Sequence, residues 1–427
     1  MENVKACCEA LRSGKMDEAL GRVYVTGDAV AAQRERYAKA AEEFGKLFGE
    51  DREVILFTAP GRTEVCGNHT DHNHGRVLAA GVNLDVIAVV SKNDEGIVRV
   101  KSEGYDMDTV DLSCLEPQES EFGRSQGLVR GVCARFKQLG YEIGGYDAYT
   151  TSNVLKGSGL SSSAAFEVLI GTVLSHLYNG GSADAVTIAK VAQYAENVFF
   201  NKPCGLMDQM ASSVGGFVEI DFKDPENPVI EKVDFDFASC GHSLCIVDTG
   251  GNHADLTDDY AAVRREMEAA AEVMGKKVLR DVGRDEFMSR IPEIRKKVND
   301  RAVLRGIHFF ADNERVLKEA EALRSGNFEE FKRLVTESGH SSYMYNQNVF
   351  TPKNVEEQGV SLALAVTDTL LDGRGAFRVH GGGFAGTMQA FVPNDMLEEY
   401  KSEIEKIFGE GHCYVLSVRP VGGAMIG

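Results

Sequence analysis

The stretch Lys156-Gly157-Ser158-Gly159-Leu160-Ser161-Ser162-Ser163-Ala164-Ala165, followed by an apolar run from Phe166 to Leu177, carries the clearest chemistry in the chain. Two glycines at spacing two let the backbone turn tightly and bring N–H groups close to a ligand. Three serines then open a helix-patterned segment, so hydroxyls and N–H groups gather at the positive end of a helix dipole. Such a combination binds an anion, most naturally a phosphate. It is not a Walker loop, because the lysine precedes the glycines, and Gly-x-Gly-x-x-Gly is not completed. The same residues also read as a Gly/Ser turn ending in a serine N-cap.

A second group, His69, Asp71, His72 and His74, sits within six residues. Zinc ligands usually come from separate elements or from a helical His-x3-His, and this spacing is neither. A polar loop that hydrogen-bonds a hydroxylated ligand fits better, with a metal site or a solvated turn as alternatives. Asp208 follows a tight Pro-x-Gly turn between Met207 and Met210, as either a positioned base or a helix N-cap. Glu196 lies twelve residues earlier on a helix-patterned segment, where the plain reading is a salt-bridge partner. Gly123-Arg124-Ser125-Gln126-Gly127 matches a nucleophile elbow, and His380-Gly381-Gly382-Gly383 matches a hydrolase oxyanion loop. Their order along the chain is reversed and no strand precedes Ser125, so hydrolase chemistry is set aside.

These residues need elements to hold them. Residues 1 to about 50 are charged and helix-patterned, clearest over Tyr37 to Phe44. Glu53 to Phe57 reads as a strand ending at Ala59-Pro60-Gly61. The polar stretch Gly61 to Gly75 follows, and then Val77 to Val90, a long β-branched segment that suggests buried strand. Further strands are expected at Ile97 to Val100, Met107 to Leu112, Tyr146 to Ser152, Phe217 to Asp221 and Ser243 to Asp248. Helices are expected at Gln126 to Leu139, Ser162 to Leu177 and Ala183 to Phe200, and Pro203 to Met210 reads as a turn. Residues 255 to 340 are mostly charged helix with solvated faces. The end returns to α/β alternation, with strands near Ala376 to Val379, Thr387 to Val392 and Tyr414 to Val418. No repeat or low-complexity linker is evident, and a domain boundary falls near 225.

The chain has 427 residues, which favours two domains over one core. Its formal charge of −19 argues against a nucleic-acid or anionic-membrane surface. Nine cysteines, scattered except for Cys7-Cys8, fit reduced thiols in a cytoplasm better than a disulfide framework. No signal core opens the chain, and no apolar run reaches the roughly eighteen residues of a membrane span.

Taken together, four separated pieces resemble the galactokinases of the GHMP small-molecule kinase superfamily. Pro60-Gly61-Arg62 with Asn68-His69-Thr70-Asp71-His72-Asn73 is similar to the galactokinase signature. Lys156 to Ala165 resembles the superfamily's ATP-phosphate loop. Cys204-Gly205-Leu206-Met207-Asp208-Gln209 resembles the segment around its catalytic aspartate, and Gly381-Gly382-Gly383-Phe384-Ala385-Gly386 its third glycine motif. The resemblance spans roughly residues 52 to 420.

It implies a two-domain α/β (α+β) GHMP kinase fold with the active site in the cleft between domains. The N-terminal domain would resemble the second domain of ribosomal protein S5, and the C-terminal one a ferredoxin-like sandwich. Residues 1–27 would be a helical extension without a family counterpart, followed by domains at 28–225 and 226–427. The implied reaction moves the ATP γ-phosphoryl to the anomeric hydroxyl of a monosaccharide, first of all D-galactose. Lys156, Gly157, Ser158, Gly159, Leu160, Ser161, Ser162 and Ser163 would cradle the phosphates, and Ser163 with Glu196 would hold Mg²⁺. Asp208 and Arg62 would act at the sugar hydroxyl, and Asn68, His69, Asp71, Gly205 and Tyr260 would contact the sugar. Adenine contacts would lie in segments without a motif, near 92 to 125. A monomer is the default.

Three positions depart from the family pattern. Asn68 stands where the family has Glu, Glu64 where it has Asn, and His380 where it has Thr. The first two leave open another sugar, whether an epimer, a pentose or a uronate. A non-catalytic sugar sensor on the same fold is the remaining alternative.

Overall fold

The structure, a computed structural model, describes residues 2–154, 159–251 and 256–427. Two long antiparallel strands, Glu53–Cys66 and Arg76–Lys92, form the spine of a nine-stranded sheet. Both are buried along nearly their whole length, as a sheet covered on both faces requires. Tyr146–Ser152 pairs with the C-terminal half of Arg76–Lys92, and Phe217–Asp221 with its N-terminal half. Ile97–Ser102 joins Tyr146–Ser152 in parallel and forms a hairpin with Met107–Asp111.

The first strand does not stop at Ala59-Pro60-Gly61 but runs on to Cys66. The ladder slips between Pro60 and Arg62, so the proline, which has no N–H to donate, sits at a bulge instead of ending the strand. Gly61 is required there, because a Cβ would stand 2.9 Å from the Leu160 carbonyl oxygen. The bulge thus lets the strand pass close under the serine-rich stretch.

Side chains alternate between the two faces of this sheet. Phe57, Ala59, Val86, Ala88 and Val90 pack against the helices Ser125–Gln138, Ser162–Asn179 and Ala185–Val198. Leu56, Ile87 and Val89 face the other way, onto the helices Val4–Arg12, Asp17–Tyr24 and Gly27–Phe48. The N-terminal extension is therefore core material, with Leu11 and Leu20 fully buried. Asp85, also fully buried, is held by Arg36, Arg419 (2.9 Å), Thr58 (2.5 Å) and the Tyr24 hydroxyl (2.5 Å).

The second sheet is four-stranded and antiparallel, with spatial order Ala376–Val379, Thr387–Pro393, His242–Asp248, Cys413–Leu416. In chain order that is 2-3-1-4, and the helices Gly359–Leu371 and Leu397–Phe408 pack on it, which is the ferredoxin-like arrangement. The charged helices from Thr257–Glu272 to Phe328–Ser341 lie between its first strand and the Gly359–Leu371 helix. The nine-stranded sheet also takes in Val229–Val233 and, from the far end of the chain, Ala424–Met425. Among the described residues no helix is long and apolar enough to cross a membrane. All nine cysteines are free thiols.

Candidate active site

Lys156, Gly157 and Ser158 lie outside the described residues; the stretch is described from Gly159 onward. Gly159 has φ +72°, the left-handed region that glycine occupies freely. Ser161 precedes the helix Ser162–Asn179 but does not cap it with its side chain. Its hydroxyl donates instead to Asp208 Oδ2, so the first N–H groups of the helix keep their positive end open to an anion. Ser162 and Ser163 line a cleft of about 780 Å³, together with Tyr105, Leu128, Asn153 and Phe166. Several of its wall residues lie between 102 and 128, within or beside the expected adenine segment. Others come from Thr150 to Val154, Phe166 and Phe200, which carried no motif.

Asp208 sits in the first turn of Met207–Val214, a helix within the stretch read as a turn, and is not its N-cap, which is Leu206. The chain entering it is pinned by Asn197, whose Oδ1 accepts from the Cys204 N–H at 2.7 Å. Arg62, 8% exposed at its side chain, donates from Nε to Asp208 Oδ1 at 2.8 Å and from Nη1 to the Gly159 carbonyl. One guanidinium thus ties the aspartate to the serine-rich turn. Burial pushes the Asp208 carboxyl up, but the charge and hydrogen bond of Arg62 and the Ser161 hydroxyl outweigh it. The net direction is below the usual carboxylate range, so Asp208 is an anion.

Glu196, 2% exposed, accepts from Ser163 Oγ (3.2 Å) and Lys202 Nζ (2.8 Å) on Oε1, and from Gln209 Nε2 (2.8 Å) on Oε2. A solvated salt-bridge partner is the plain expectation; the structure makes Glu196 a buried carboxylate beside the N-terminus of Ser162–Asn179. Lys202 places a positive charge against it, which sequence gave no reason to single out. Among the described residues no group of three or more His, Cys, Asp or Glu is placed to hold a metal ion.

His69 and Asp71 line a second, smaller cleft of about 150 Å³, with Glu64, Asn68, Met207 and Gly381 among others. His69 Nε2 donates to the Gly382 carbonyl at 2.9 Å. Asp71 is half-buried; burial and the nearby Asp208 raise its carboxyl despite His69. A Cβ on Gly205 would stand 2.9 Å from Asp71 Oδ2, so the glycine leaves that carboxylate its room. Tyr260 donates to the Gly383 carbonyl at 3.0 Å and stacks edge-on against Phe384. His380 lies beneath the serine-rich turn, bonded to Thr63 and Thr387 at 3.0 Å each. Burial, with help from Arg62 and Arg378, pushes its imidazole down to about 3, so it is neutral.

Glu64 and Asn68, the two departures from the signature, are hydrogen-bonded to each other at 2.8 Å. Glu64 also pairs with the buried Arg378 at 2.9 Å. Nothing in the local sequence pointed to Arg378, whose partner is 314 residues away.

Two family models match the chain: the galactokinase galactose-binding signature over residues 42–92 and the GHMP kinases N terminal domain over 127–216. A galactokinase of Streptomyces coelicolor is 30% identical over 382 residues, covering 90% of this chain and 94% of its own. The chain belongs to the galactokinase family. Another galactokinase, from Actinobacillus pleuropneumoniae, is 32% identical over 371 residues, covering 85% of this chain and 91% of its own. The Lactococcus lactis galactokinase, solved in complex with galactose, superposes with a TM-score of 0.75 at 23% identity, covering 91% of this chain and 99% of its own. That likeness is one of fold: a two-domain α/β GHMP kinase. The protein is a kinase by family, and the galactokinase signature spans the loop that holds His69 and Asp71.

Proposed function

We propose that this protein transfers the γ-phosphoryl group of ATP to the anomeric hydroxyl of D-galactose, giving galactose 1-phosphate and ADP. The observation that carries this reading is the triangle Arg62–Asp208–Ser161. It sets one ionised carboxylate between the helix that binds phosphate and the cleft lined by His69 and Asp71.

The geometry supports these roles. The open N-terminus of Ser162–Asn179 and the serines 161 to 163 hold the phosphates, and the 780 Å³ cleft takes the nucleoside. His69, Asp71, Gly205 and Tyr260 form or support the sugar end. Asp208 orients the sugar O1–H. As the O1–Pγ bond forms and the Pγ–O bond to ADP breaks, the proton leaves O1 toward Asp208. A carboxylate held below its usual range is a weak base, which suits a loose transition state where proton transfer comes late. Arg62, fixed by Asp208 and Gly159, neutralises charge on the moving phosphoryl group.

Ser163 and Glu196 offer hard oxygens at the phosphate end, a donor set that fits Mg²⁺. When bound, Mg²⁺ would neutralise the β- and γ-phosphate oxygens. We place the two domains at 28–225 and 226–427, with residues 2–27 packed onto the first and the strands Val229–Val233 and Ala424–Met425 joining its sheet, and read the protein as a cytoplasmic monomer, in keeping with nine free thiols.

The test is ADP release from the purified protein with Mg²⁺-ATP across D-galactose, D-glucose, D-talose, L-arabinose and D-galacturonate. Galactose leading by about tenfold or more in kcat/KM, some 1.4 kcal/mol, supports the proposal. An absence of ADP release with every sugar of the panel points to a sensor and defeats it.

A further inference from the structure

We propose that Glu64, and not Asn68, is the residue that reads the non-reacting hydroxyls of the sugar, with Asn68 acting as the spacer that holds Glu64 in place. The inference rests on the sugar-kinase reading above. Asn68 is fully buried and its amide has no capacity left. Its two Nδ2 hydrogens go to Glu64 Oε1 (2.8 Å) and the Gly381 carbonyl (2.7 Å). Its Oδ1 accepts from Asn348 Nδ2 (2.7 Å) and Ser342 Oγ (3.3 Å). Even its backbone is engaged, the N–H with Asp312 (3.2 Å) and the carbonyl with His308 Nε2 (2.9 Å). A sugar could bond Asn68 only by breaking this set.

Glu64 is placed differently. Its Oε1 takes both protein donors, Asn68 Nδ2 and Arg378 Nη2. Among the described residues no donor reaches Oε2, yet Oε2 is not a sealed-in orphan, and the residue lines the 150 Å³ cleft. Arg378, fully buried and bonded to the Val65 and Val379 carbonyls, compensates the charge and fixes the carboxylate in one orientation. The cleft therefore presents a carboxylate oxygen with lone pairs free to accept.

This sets the class of ligand. The bound end of the sugar must donate hydrogen bonds, so a neutral hydroxylated sugar fits. A uronate does not, because its carboxylate would meet Glu64 and Asp71, two acidic residues lining the same small cleft. An analogue lacking the hydroxyl that reaches Oε2 leaves a desolvated carboxylate oxygen unpaired and is rejected.

The experiment is a cycle of kcat/KM values for wild type and Glu64→Gln with galactose and its 2-, 4- and 6-deoxy analogues, the KM for ATP being followed in parallel. With wild type, one deoxy sugar should lose at least about tenfold against galactose. With Glu64→Gln, where the free oxygen becomes a donor, that penalty should shrink to about threefold or less while the KM for ATP stays unchanged. An active variant with the wild-type profile on every deoxy sugar overturns the inference and leaves the kinase reading intact. Should Glu64→Gln not fold, wild type alone decides, since galacturonate turned over about as well as galactose would equally overturn it. Silence of wild type on every sugar overturns both.

Discussion

Asp208 makes its two strongest contacts with residues 146 and 47 positions away, and each contact changes what the carboxylate can do. Arg62 keeps it ionised and Ser161 fixes its second oxygen toward the N-terminus of Ser162–Asn179. Replacing it as Asp208→Asn keeps the shape and removes the charge. Steady-state kinetics should then show kcat falling by about 10²–10⁴-fold with the galactose KM within a few-fold. An equal loss in KM with kcat preserved would make Asp208 a binding group only. Because Asp208 lies below the usual carboxylate range, wild-type kcat should show no acid limb from this group above about pH 4. The residue types of this centre were legible in the chain as local patterns. Their meeting was not, because it depends on a bulge at Pro60 that passes Arg62 beneath Leu160.

At the scale of elements, periodicity located the strands Tyr146–Ser152, Phe217–Asp221 and Ala376–Val379, where alternation or β-branching was clean. It failed where backbone chemistry gave a false signal. Pro60 and Gly61 looked like a strand end and are a bulge; Pro203 and Gly205 looked like a turn and introduce a helix. The large cleft was only partly legible, since its walls come from separate segments with no common pattern. The N-terminal helices were visible as amphipathic pieces, but not their docking, which rests on a tertiary contact from Tyr24 to Asp85. Tyr24→Phe removes a buried hydrogen bond to a charged group but leaves Arg36, Arg419 and Thr58 in place. Denaturant unfolding should show a loss of about 1–2 kcal/mol with kcat/KM within about twofold. A loss of activity without a loss of stability would mean that the extension serves the site directly.

Over the whole molecule, buried titratable groups set how stability follows pH. Burial pushes His380 down to about 3 and lowers His72 and His308 as well. Folded, these histidines bind fewer protons than unfolded ones, so their contribution is present above about pH 6.5 and is lost as pH falls below it. Glu319 has the opposite sign. Burial, with nearby Asp312, raises its carboxyl to about 8 against the pull of Cys66 and Arg378. Its contribution is present below the ordinary carboxylate value and is lost as pH rises through 8. Glu167 is raised in the same direction, chiefly by burial and then by Glu196. The melting temperature should therefore peak near about pH 6.5 and fall on both sides. Glu319→Gln should raise it at pH 8 relative to wild type more than at pH 6, and an equal shift at both would contradict this account.

The central claim is that the phosphoryl group lands on the anomeric oxygen of galactose at a site organised by Asp208. Phosphorus NMR of the product formed from Mg²⁺-ATP and D-galactose tests it most directly, with Asp208→Asn run alongside. The account predicts one new phosphomonoester signal coupled to the anomeric proton, growing with ADP in wild type and nearly absent in the variant. A phosphomonoester coupled to any other carbon's proton, or ADP and inorganic phosphate with no sugar phosphate, would contradict it.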